Sequence, residues 1–336
     1  MEYINSRLLL NKRPRGMPFD DCWIYDQQKI TDLNKNQILI KVHYLSIDPY
    51  MRGRMNDGVS YASPVKIGHP MTGESVGEII ESKSKYYNIG DFVCVHKGWQ
   101  THIITDDTDI SLFRLPETNI PISYFLGVAG MPGRTAYFGL NKIGKPKKDE
   151  TIVISAASGA VGSIVGQLAK NIGCKVIGIA GGEAKCSYVM SNYNFDYCID
   201  YKNNNFQNTL HDLCGEGIDI YFENVGGKVT EAIAPLLKKK ARVPICGFIS
   251  QYNNEDVLKD SPFNIFSKLS TKPKHRFFVV TEWMDQWSIA TKELVKLLEQ
   301  DKLFYKESEK YGLKKAPEAL RDVLSGKNFG KQLIRI

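Results

Sequence analysis

A run of small residues near the middle of the chain has a spacing that favours a tight turn. Ala157, Gly159 and Gly162 occupy the three places of a G-x-G-x-x-G pattern, with alanine at the first place. Small residues there let the backbone approach a pyrophosphate and let the next helix pack closely on the preceding strand. That helix would direct its unpaired N–H groups at the phosphates. The spacing therefore predicts a dinucleotide-binding turn that includes Ala160 and Val161.

The end of the next predicted strand suggests which dinucleotide would bind. NAD-binding proteins normally carry an acidic residue there, which holds the ribose 2′-OH. In this chain the position falls on Ala180 or Gly181, which leaves room for a 2′-phosphate. Glu183 is an acidic residue close to this position and would repel a phosphate, so we expect its side chain to point outward.

Two structural interpretations of the small-residue run compete with nucleotide binding. The run could be a core helix that contains glycines, or it could be a membrane span. The membrane span is disfavoured because Ser155, Ser158, Gln167 and three glycines interrupt the roughly 20 apolar residues that a bilayer requires.

The elements around the run predict two domains of different architecture. Residues 1 to about 120 are rich in short β segments (37–45, 77–81 and 92–96) separated by turn residues, which is typical of a barrel-like β domain. From residue 151 strands and helices alternate, which predicts a doubly wound parallel sheet. The predicted strands are 152–155, 175–180, 197–200, 218–225, 242–247 and 276–281. The predicted helices include 206–213, 229–237 and 293–303. The last segment, 330–336, alternates like a strand and would need a partner in the first domain.

Composition limits the class of protein. The 336 residues are 43% apolar and 24% charged, and the net charge of +7 is spread along the chain. We therefore expect a soluble protein that binds neither nucleic acid nor membrane. The dense cluster Lys238–Lys240 is predicted to close a helix. We expect no signal peptide or anchor, because the apolar run near the N-terminus is only three leucines (Leu8 to Leu10), and the seven cysteines are dispersed, so we expect a cytoplasmic protein.

Five segments carry a resemblance to a known family. A β domain, an inserted nucleotide fold and a return to the β domain is the layout of the medium-chain dehydrogenase/reductase superfamily. From about residue 38 onward the chain resembles its zinc-independent leukotriene/prostaglandin reductase branch, which includes plant alkenal double-bond reductases and bacterial curcumin reductase. The segments are LSIDPYMR (45–52), GMPGRTAYFG (130–139), SAASGAVGS (155–163), ENVGG (223–227) and CGFISQY (246–252).

The resemblance implies a fold and an activity. The fold is α/β, with a GroES-like β-barrel catalytic domain (1–124, with 296–336 returning to it) and a Rossmann NADP-binding domain (125–295). The implied enzyme is an NADP-dependent oxidoreductase similar to 2-alkenal and 15-oxoprostaglandin 13-reductases. It would use NADPH to reduce the C=C bond of small α,β-unsaturated aldehydes and ketones, as a homodimer.

The resemblance also implies site residues. Tyr252 and Tyr50 would line the catalytic site, where a tyrosine hydroxyl can donate to an enolate oxygen. Lys185 and Tyr201 match the family's contacts to the 2′-phosphate. The other implied cofactor contacts, with Tyr252 again among them, are Asn224, Cys246, Phe278, Val279, Val280 and Asn328. In the structural alternative Tyr252 and Tyr50 are packing residues and Lys185 is a solvated lysine, and the ribose hydroxyl of the cofactor could relay the proton instead.

The sequence predicts no metal site. Catalytic zinc takes three protein ligands, usually cysteine or histidine. Ser46 to Asp48 stand where zinc-dependent relatives keep the first cysteine, and no cysteine lies between residues 94 and 174. His69 falls where those relatives keep a histidine, but alone it cannot hold zinc. Hydride would then be delivered to the β-carbon without a metal.

Two other functions stay open at this point. One is an NADPH quinone reductase of the same superfamily, with a flatter substrate pocket. The other is a nucleotide-binding structural protein without catalysis. NADPH consumption with an enal, with a quinone or with neither separates the three.

Overall fold

The computed structural model describes residues 3–58 and 62–336. The chain divides into two compact units, Met1–Gly127 with Glu307–Ile336, and Val128–Lys306. The domain boundaries that the sequence predicts, at 124/125 and 295/296, stay a prediction about functional organisation. No helix among the described residues is both long and apolar enough to cross a bilayer.

The first unit is built on β-strands. Its largest sheet has the order β14-β15-β3-β4-β5-β7, and β6 also pairs with β3. Numbered along the whole chain, the elements of this unit are β1 (Ile4–Leu10), β2 (Trp23–Lys29), β3 (Gln37–Ile47), α1 (Tyr50–Arg54), β4 (Ser75–Ser82), β5 (Phe92–Val95), β6 (His102–Asp106), β7 (Phe113–Arg114), β14 (Glu307–Tyr311), α9 (Ala316–Leu324) and β15 (Lys331–Arg335). Alternate residues of β3 (Ile38, Ile40 and Val42) are buried in the core, because successive side chains of a strand face opposite sides.

A buried ion pair joins the two chain segments of this unit. The C-terminal strand β15 pairs antiparallel with β3. The Lys331 ammonium donates to the Ile47 carbonyl at 2.8 Å and to Asp48 Oδ1 at 2.9 Å. The two charged side chains are only 1% and 7% exposed. Each of these buried charges is stabilised by the other, because either charge alone would have lost its hydration without compensation.

The second unit is a doubly wound parallel sheet with the strand order β10-β9-β8-β11-β12-β13. The order reverses between β8 and β11, which is the topology that the sequence predicts, and the fold class is confirmed. The elements are α2 (Met131–Phe138), β8 (Thr151–Ser155), α3 (Gly162–Ile172), β9 (Lys175–Ala180), α4 (Glu183–Tyr193), β10 (Tyr197–Asp200), α5 (Phe206–Cys214), β11 (Ile218–Phe222), α6 (Gly227–Ile233), β12 (Leu237–Ile245), α7 (Pro262–Ser267), β13 (Lys274–Phe277) and α8 (Trp287–Glu299).

Some predicted elements have different bounds in the structure. The prediction that Lys238–Lys240 closes a helix is wrong, because those lysines lie in strand β12. Helix α6 ends at Ile233, and Pro235, which lacks an N–H, lies in the short 3₁₀ turn that follows. The predicted strands 218–225 and 276–281 both end earlier, at Phe222 and Phe277, and the helix predicted at 293–303 is α8, which begins and ends earlier.

Candidate active site

The predicted phosphate-binding turn directly follows β8. Ala156 has a φ of 52°, the left-handed conformation that L-residues rarely adopt. The Ala157 N–H donates to the Ile179 carbonyl at 2.9 Å, and the Gly159 N–H donates to the Ala156 carbonyl at 2.9 Å. The reversal of direction therefore occurs at Ala156, one residue before the glycine-like pattern, and no sequence rule pointed to an alanine there.

The start of α3 has the shape and the donors that a pyrophosphate requires. A Cβ atom at Gly162 would collide with the Ala156 carbonyl oxygen, so only glycine lets the helix begin this close to the turn. Ala160 and Val161 are the two residues immediately before the helix, and no side chain caps this end. Ser163 Oγ is buried and has no hydrogen-bond partner within the described part of the chain. Ser163 was not among the predicted contacts, although a hydroxyl in the first helical turn is a recognisable phosphate ligand.

Two lysines and a tyrosine gather at the ends of β9 and β10. Lys185 lies half-buried in the first turn of α4, and its pKa is lowered by burial and secondarily by the nearby Lys202 ammonium. A Cβ atom at Gly181 would lie 2.9 Å from the Tyr201 ring and 3.2 Å from Lys202 Cε. Glu183 is exposed, as expected. This arrangement of cations beside a phenol suits a dianionic phosphate, and Lys202 is a residue that the sequence analysis missed.

Asn224 is held at the point where the strand order reverses. Its backbone N–H donates to Ser155 Oγ at 2.8 Å, and its side-chain Nδ2 donates to the Ser155 carbonyl at 2.7 Å. Ser155 ends β8, so these bonds join the carboxyl ends of β8 and β11. The carboxamide of Asn224 is therefore held in one orientation beside the phosphate-binding turn.

The buried carboxyl group of Glu223 organises this junction. It accepts backbone N–H bonds from Val225 at 2.7 Å and Gly226 at 3.0 Å, and hydroxyl bonds from Tyr221 at 2.9 Å and from Thr230. Burial raises the pKa of Glu223, although these donors oppose the effect. Glu223 lies in the ENVGG segment (223–227), but the sequence alone predicted no role for it.

Tyr252 and Cys246 lie on the loop after β12. The Tyr252 hydroxyl accepts the Phe248 N–H at 3.3 Å, and the two rings meet edge to face at 5.6 Å. A Cβ atom at Gly247 would lie 2.7 Å from that hydroxyl, so any larger residue there would displace the tyrosine hydroxyl. Burial raises the pKa of Cys246 to about 12, so the thiol is protonated at neutral pH and is a weak nucleophile.

The segment after β13 continues as extended backbone into a helical turn. Phe278 is buried, and its N–H donates to the Ile245 carbonyl at 3.3 Å. The Val279 N–H donates to Glu282 Oε1 at 2.9 Å. The Val280 carbonyl accepts Trp287 Nε1 at 3.0 Å. Residues 278–280 thus present backbone at the same edge of the sheet as the preceding loops.

Tyr50 and Asn328 belong to the first unit. The Tyr50 hydroxyl lies 2.9 Å from His96 Nε2, and the Arg54 guanidinium lies 5.8 Å from the centre of the Tyr50 ring. Arg54 and His96 line a cavity of about 360 Å³, which His69 also lines. Asn328 Nδ2 donates to the Gly330 carbonyl at 2.9 Å.

The predicted contact residues of the second unit lie at one edge of its parallel sheet. Ala157 to Gly162, Lys185, Tyr201, Asn224, Cys246, Tyr252 and Phe278 to Val280 all follow the carboxyl ends of the parallel strands, where ligands of doubly wound sheets bind. Across residues 3–58 and 62–336, no three His, Cys, Asp or Glu side chains are grouped so that they could hold a metal ion.

Comparison with known proteins places the chain among characterised oxidoreductases. Residues 6–112 match the family model described as the N-terminal domain of oxidoreductase, and residues 160–295 match the model described as zinc-binding dehydrogenase. The chain is 40% identical over 337 residues to the NADPH-dependent curcumin reductase of Escherichia coli (strain K12). The alignment covers 99% of this chain and 97% of that protein.

Two further relatives extend the comparison. The NADP(+)-dependent 2-alkenal reductase of Nicotiana tabacum is 38% identical, over 90% of this chain and 88% of that protein. The crystal structure of CurA from Vibrio vulnificus in complex with NADPH superimposes with a TM-score of 0.92 at 41% identity, over 98% of each chain.

Proposed function

Because the chain belongs to the zinc-independent reductase branch of the medium-chain dehydrogenase/reductase superfamily, we propose that it uses NADPH to reduce the C=C bond of α,β-unsaturated aldehydes and ketones. The observation that carries this proposal is the 40% identity, over almost the whole chain, to an NADPH-dependent curcumin reductase. The similarity to a 2-alkenal reductase extends the substrate class to small enals.

The residues of the second unit fit the proposed cofactor. The glycine at 162 and the Ser163 hydroxyl, at the start of α3, suit the pyrophosphate. Lys185, with Tyr201 and Lys202 beside it, suits the 2′-phosphate. We propose that Asn224, Cys246, Val279 and Asn328, with their neighbours named above, complete the cofactor contacts.

The protein's part in the reaction is electrostatic. When bound, the nicotinamide supplies a hydride for the β-carbon of the substrate. Negative charge then develops on the carbonyl oxygen, and hydrogen-bond donors held in place lower the energy of that state. We propose that a tyrosine hydroxyl donates to this oxygen, with Tyr252 as the first candidate and Tyr50 as the second.

We propose that no metal takes part in this reaction. The family resemblance puts Ser46 to Asp48 where zinc-dependent relatives keep their first cysteine, and these three residues include no thiol or imidazole. Turnover should therefore survive prolonged dialysis against a chelator, and elemental analysis should find less than stoichiometric zinc. Stoichiometric zinc with chelator-sensitive turnover would contradict the proposal.

The test of the proposed function is NADPH oxidation with an enal, an enone, a quinone or no acceptor. We expect consumption with the enal and enone, and a saturated carbonyl product identified by mass spectrometry. Preferential consumption with the quinone would indicate a quinone reductase, and consumption with none of the acceptors would indicate a protein without this catalysis.

We also propose that the protein is a cytoplasmic homodimer. All seven cysteines are free thiols, which favours a reducing compartment. Strand β13 is at one edge of the six-stranded sheet, where a strand from a second copy would extend the sheet. Light scattering of the purified protein measures the oligomeric state directly, and a monomer would contradict this part of the proposal.

A further inference from the structure

The carboxyl group of Glu223 is fully buried and accepts hydrogen bonds on both of its oxygens. Oε1 accepts the backbone N–H groups of Val225 at 2.7 Å and Gly226 at 3.0 Å, and the hydroxyl of Tyr221 at 2.9 Å. Oε2 accepts the hydroxyl of Thr230, which lies in helix α6. Several donors that converge on one carboxyl group favour its ionised form. Glu223 is therefore a buried carboxylate whose charge is compensated by hydrogen bonds.

Ser155 connects this carboxylate to Asn224. The Ser155 hydroxyl lies 3.2 Å from Glu223 Oε1 and 3.3 Å from the Phe222 carbonyl oxygen. The carboxylate is the stronger acceptor of the two, because a hydrogen bond to an ionised group is the stronger kind. With its proton directed there, the Ser155 oxygen accepts the Asn224 N–H at 2.8 Å. The orientation of the hydroxyl that holds Asn224 is therefore set by Glu223.

The backbone of Glu223 holds the loop after β12 at the same place. Its carbonyl oxygen accepts the N–H groups of Cys246 at 2.9 Å and Gly247 at 3.3 Å. The next carbonyl oxygen, that of Asn224, accepts the Ile249 N–H at 3.1 Å. The side chain and the backbone of one residue thus anchor both Asn224 and the loop that carries Cys246, two residues that the family resemblance assigns to the cofactor.

We propose that Glu223 is a positioning residue for the cofactor, which acts by holding the Asn224 carboxamide in its binding orientation. This inference rests on the proposed function, in which Asn224 contacts NADPH. Asn224 follows β11, beside the end of β8, whereas Lys185, proposed for the 2′-phosphate, follows β9. We therefore expect Asn224 to contact a part of the cofactor that NADPH and NADH share.

The first test is the Kd of NADPH and of NADH, measured by the fluorescence of the bound cofactor without substrate. Glu223→Gln keeps the shape of the side chain but replaces one acceptor oxygen with an NH₂ group and removes the charge. We expect both Kd values to rise by about 10-fold, the equivalent of one hydrogen bond. Unchanged Kd values, or a rise confined to NADPH, would overturn the proposal.

Two further variants separate positioning from general stability. Thr230→Val nearly keeps the size of the side chain and removes the donor to Oε2. It should lower the urea midpoint of unfolding but leave both Kd values nearly unchanged. Ser155→Ala removes the hydroxyl between Glu223 and Asn224, so it should raise both Kd values, and it carries the test if Glu223→Gln does not fold. Equal losses of cofactor affinity in Thr230→Val and Glu223→Gln would indicate a merely structural role and would overturn the proposal.

A double variant tests whether the effect passes through Asn224. If it does, Asn224→Ala with Glu223→Gln should bind both cofactors no more weakly than Asn224→Ala alone. Losses that multiply, or an Asn224→Ala variant that binds NADPH as tightly as the wild type, would overturn the inference while NADPH binding by the wild type stands. A wild type that binds neither cofactor would instead refute the proposed function, and the role of Glu223 with it.

Discussion

Replacing Lys185 with alanine should change the choice of cofactor while leaving the fold intact. Lys185 is half-buried in the first turn of α4, and burial and the Lys202 ammonium both lower its pKa. A site that already disfavours the ammonium gains most when an anion binds beside it. The proposed 2′-phosphate, a dianion, would supply that charge.

The expected size of the effect follows from the burial of the two lysines. A hydrogen bond to a charged group contributes about 1.5–3 kcal/mol, so Lys185→Ala should weaken NADPH binding roughly 10- to 150-fold. Lys202 is exposed, so water and salt screen its charge and its removal should cost less. NADH lacks the phosphate and should bind almost equally to all variants.

The assay is the KM of NADPH and NADH for the wild type, Lys185→Ala and Lys202→Ala, at low and high salt. Lys142→Ala, an exposed lysine before β8, is the matched control for the loss of a positive charge. We expect the loss in Lys185→Ala to shrink as salt rises. Equal losses for the two cofactors in Lys185→Ala, or a wild type that prefers NADH, would refute the assignment.

Three other predictions follow from single groups. Tyr252→Phe should lower kcat and kcat/KM together by about 100-fold, because an oxyanion donor acts mainly in the transition state. An unchanged kcat in steady-state assays would show that Tyr252 is only a packing residue. Lys331→Ala should lower the free energy of unfolding, measured in urea, by about 3–5 kcal/mol, because Asp48 is left buried and unpaired. Arg7→Ala, which removes a more exposed ion pair, should lower it by about 1 kcal/mol or less. Equal losses in the two variants would contradict the burial argument. Burial raises the pKa of Glu307 from 4.5 to about 7, so the folded state holds a proton that the unfolded state releases, and stability should fall by about 3 kcal/mol as pH rises through that interval. Glu307→Gln should flatten this dependence in urea titrations, and a dependence that survives the substitution would exclude Glu307 as its source.

Periodic patterns in the sequence were sufficient to predict the nucleotide-binding sheet. The apolar strands and the small residues from Ala157 to Gly162 predict β8, its turn and α3, because these features depend on neighbours along the chain. Gly173 ends α3 with a φ of 93°, the left-handed conformation that makes glycine common just after a helix. Local rules failed at Lys238–Lys240, because β12 pairs with β11 at Leu237 and Arg242, on either side of the three lysines, and this pairing extends the strand through them.

The pairs that make up the candidate site could not be predicted in this way. Tyr50 meets His96, and Lys185 meets Lys202, through turns whose geometry is set by tertiary packing. The left-handed Ala156 is a further example, since sequence rules expect glycine or asparagine there. Composition and spacing identify the types of groups present, and only the folded backbone decides which of them touch.

The pairing of β15 with β3 also constrains how this protein is made. Residues 44 and 45 of β3 pair with β4 on one side, whereas on the other side residues 44–47 pair with residues 332–335, which are synthesised after the whole second unit. Until then that part of β3 is an open edge, which other chains could pair with. The second unit, whose strands all come from one continuous segment, can complete its sheet during translation. The first unit must wait for the last residues, so its folding should be the step most dependent on chaperones.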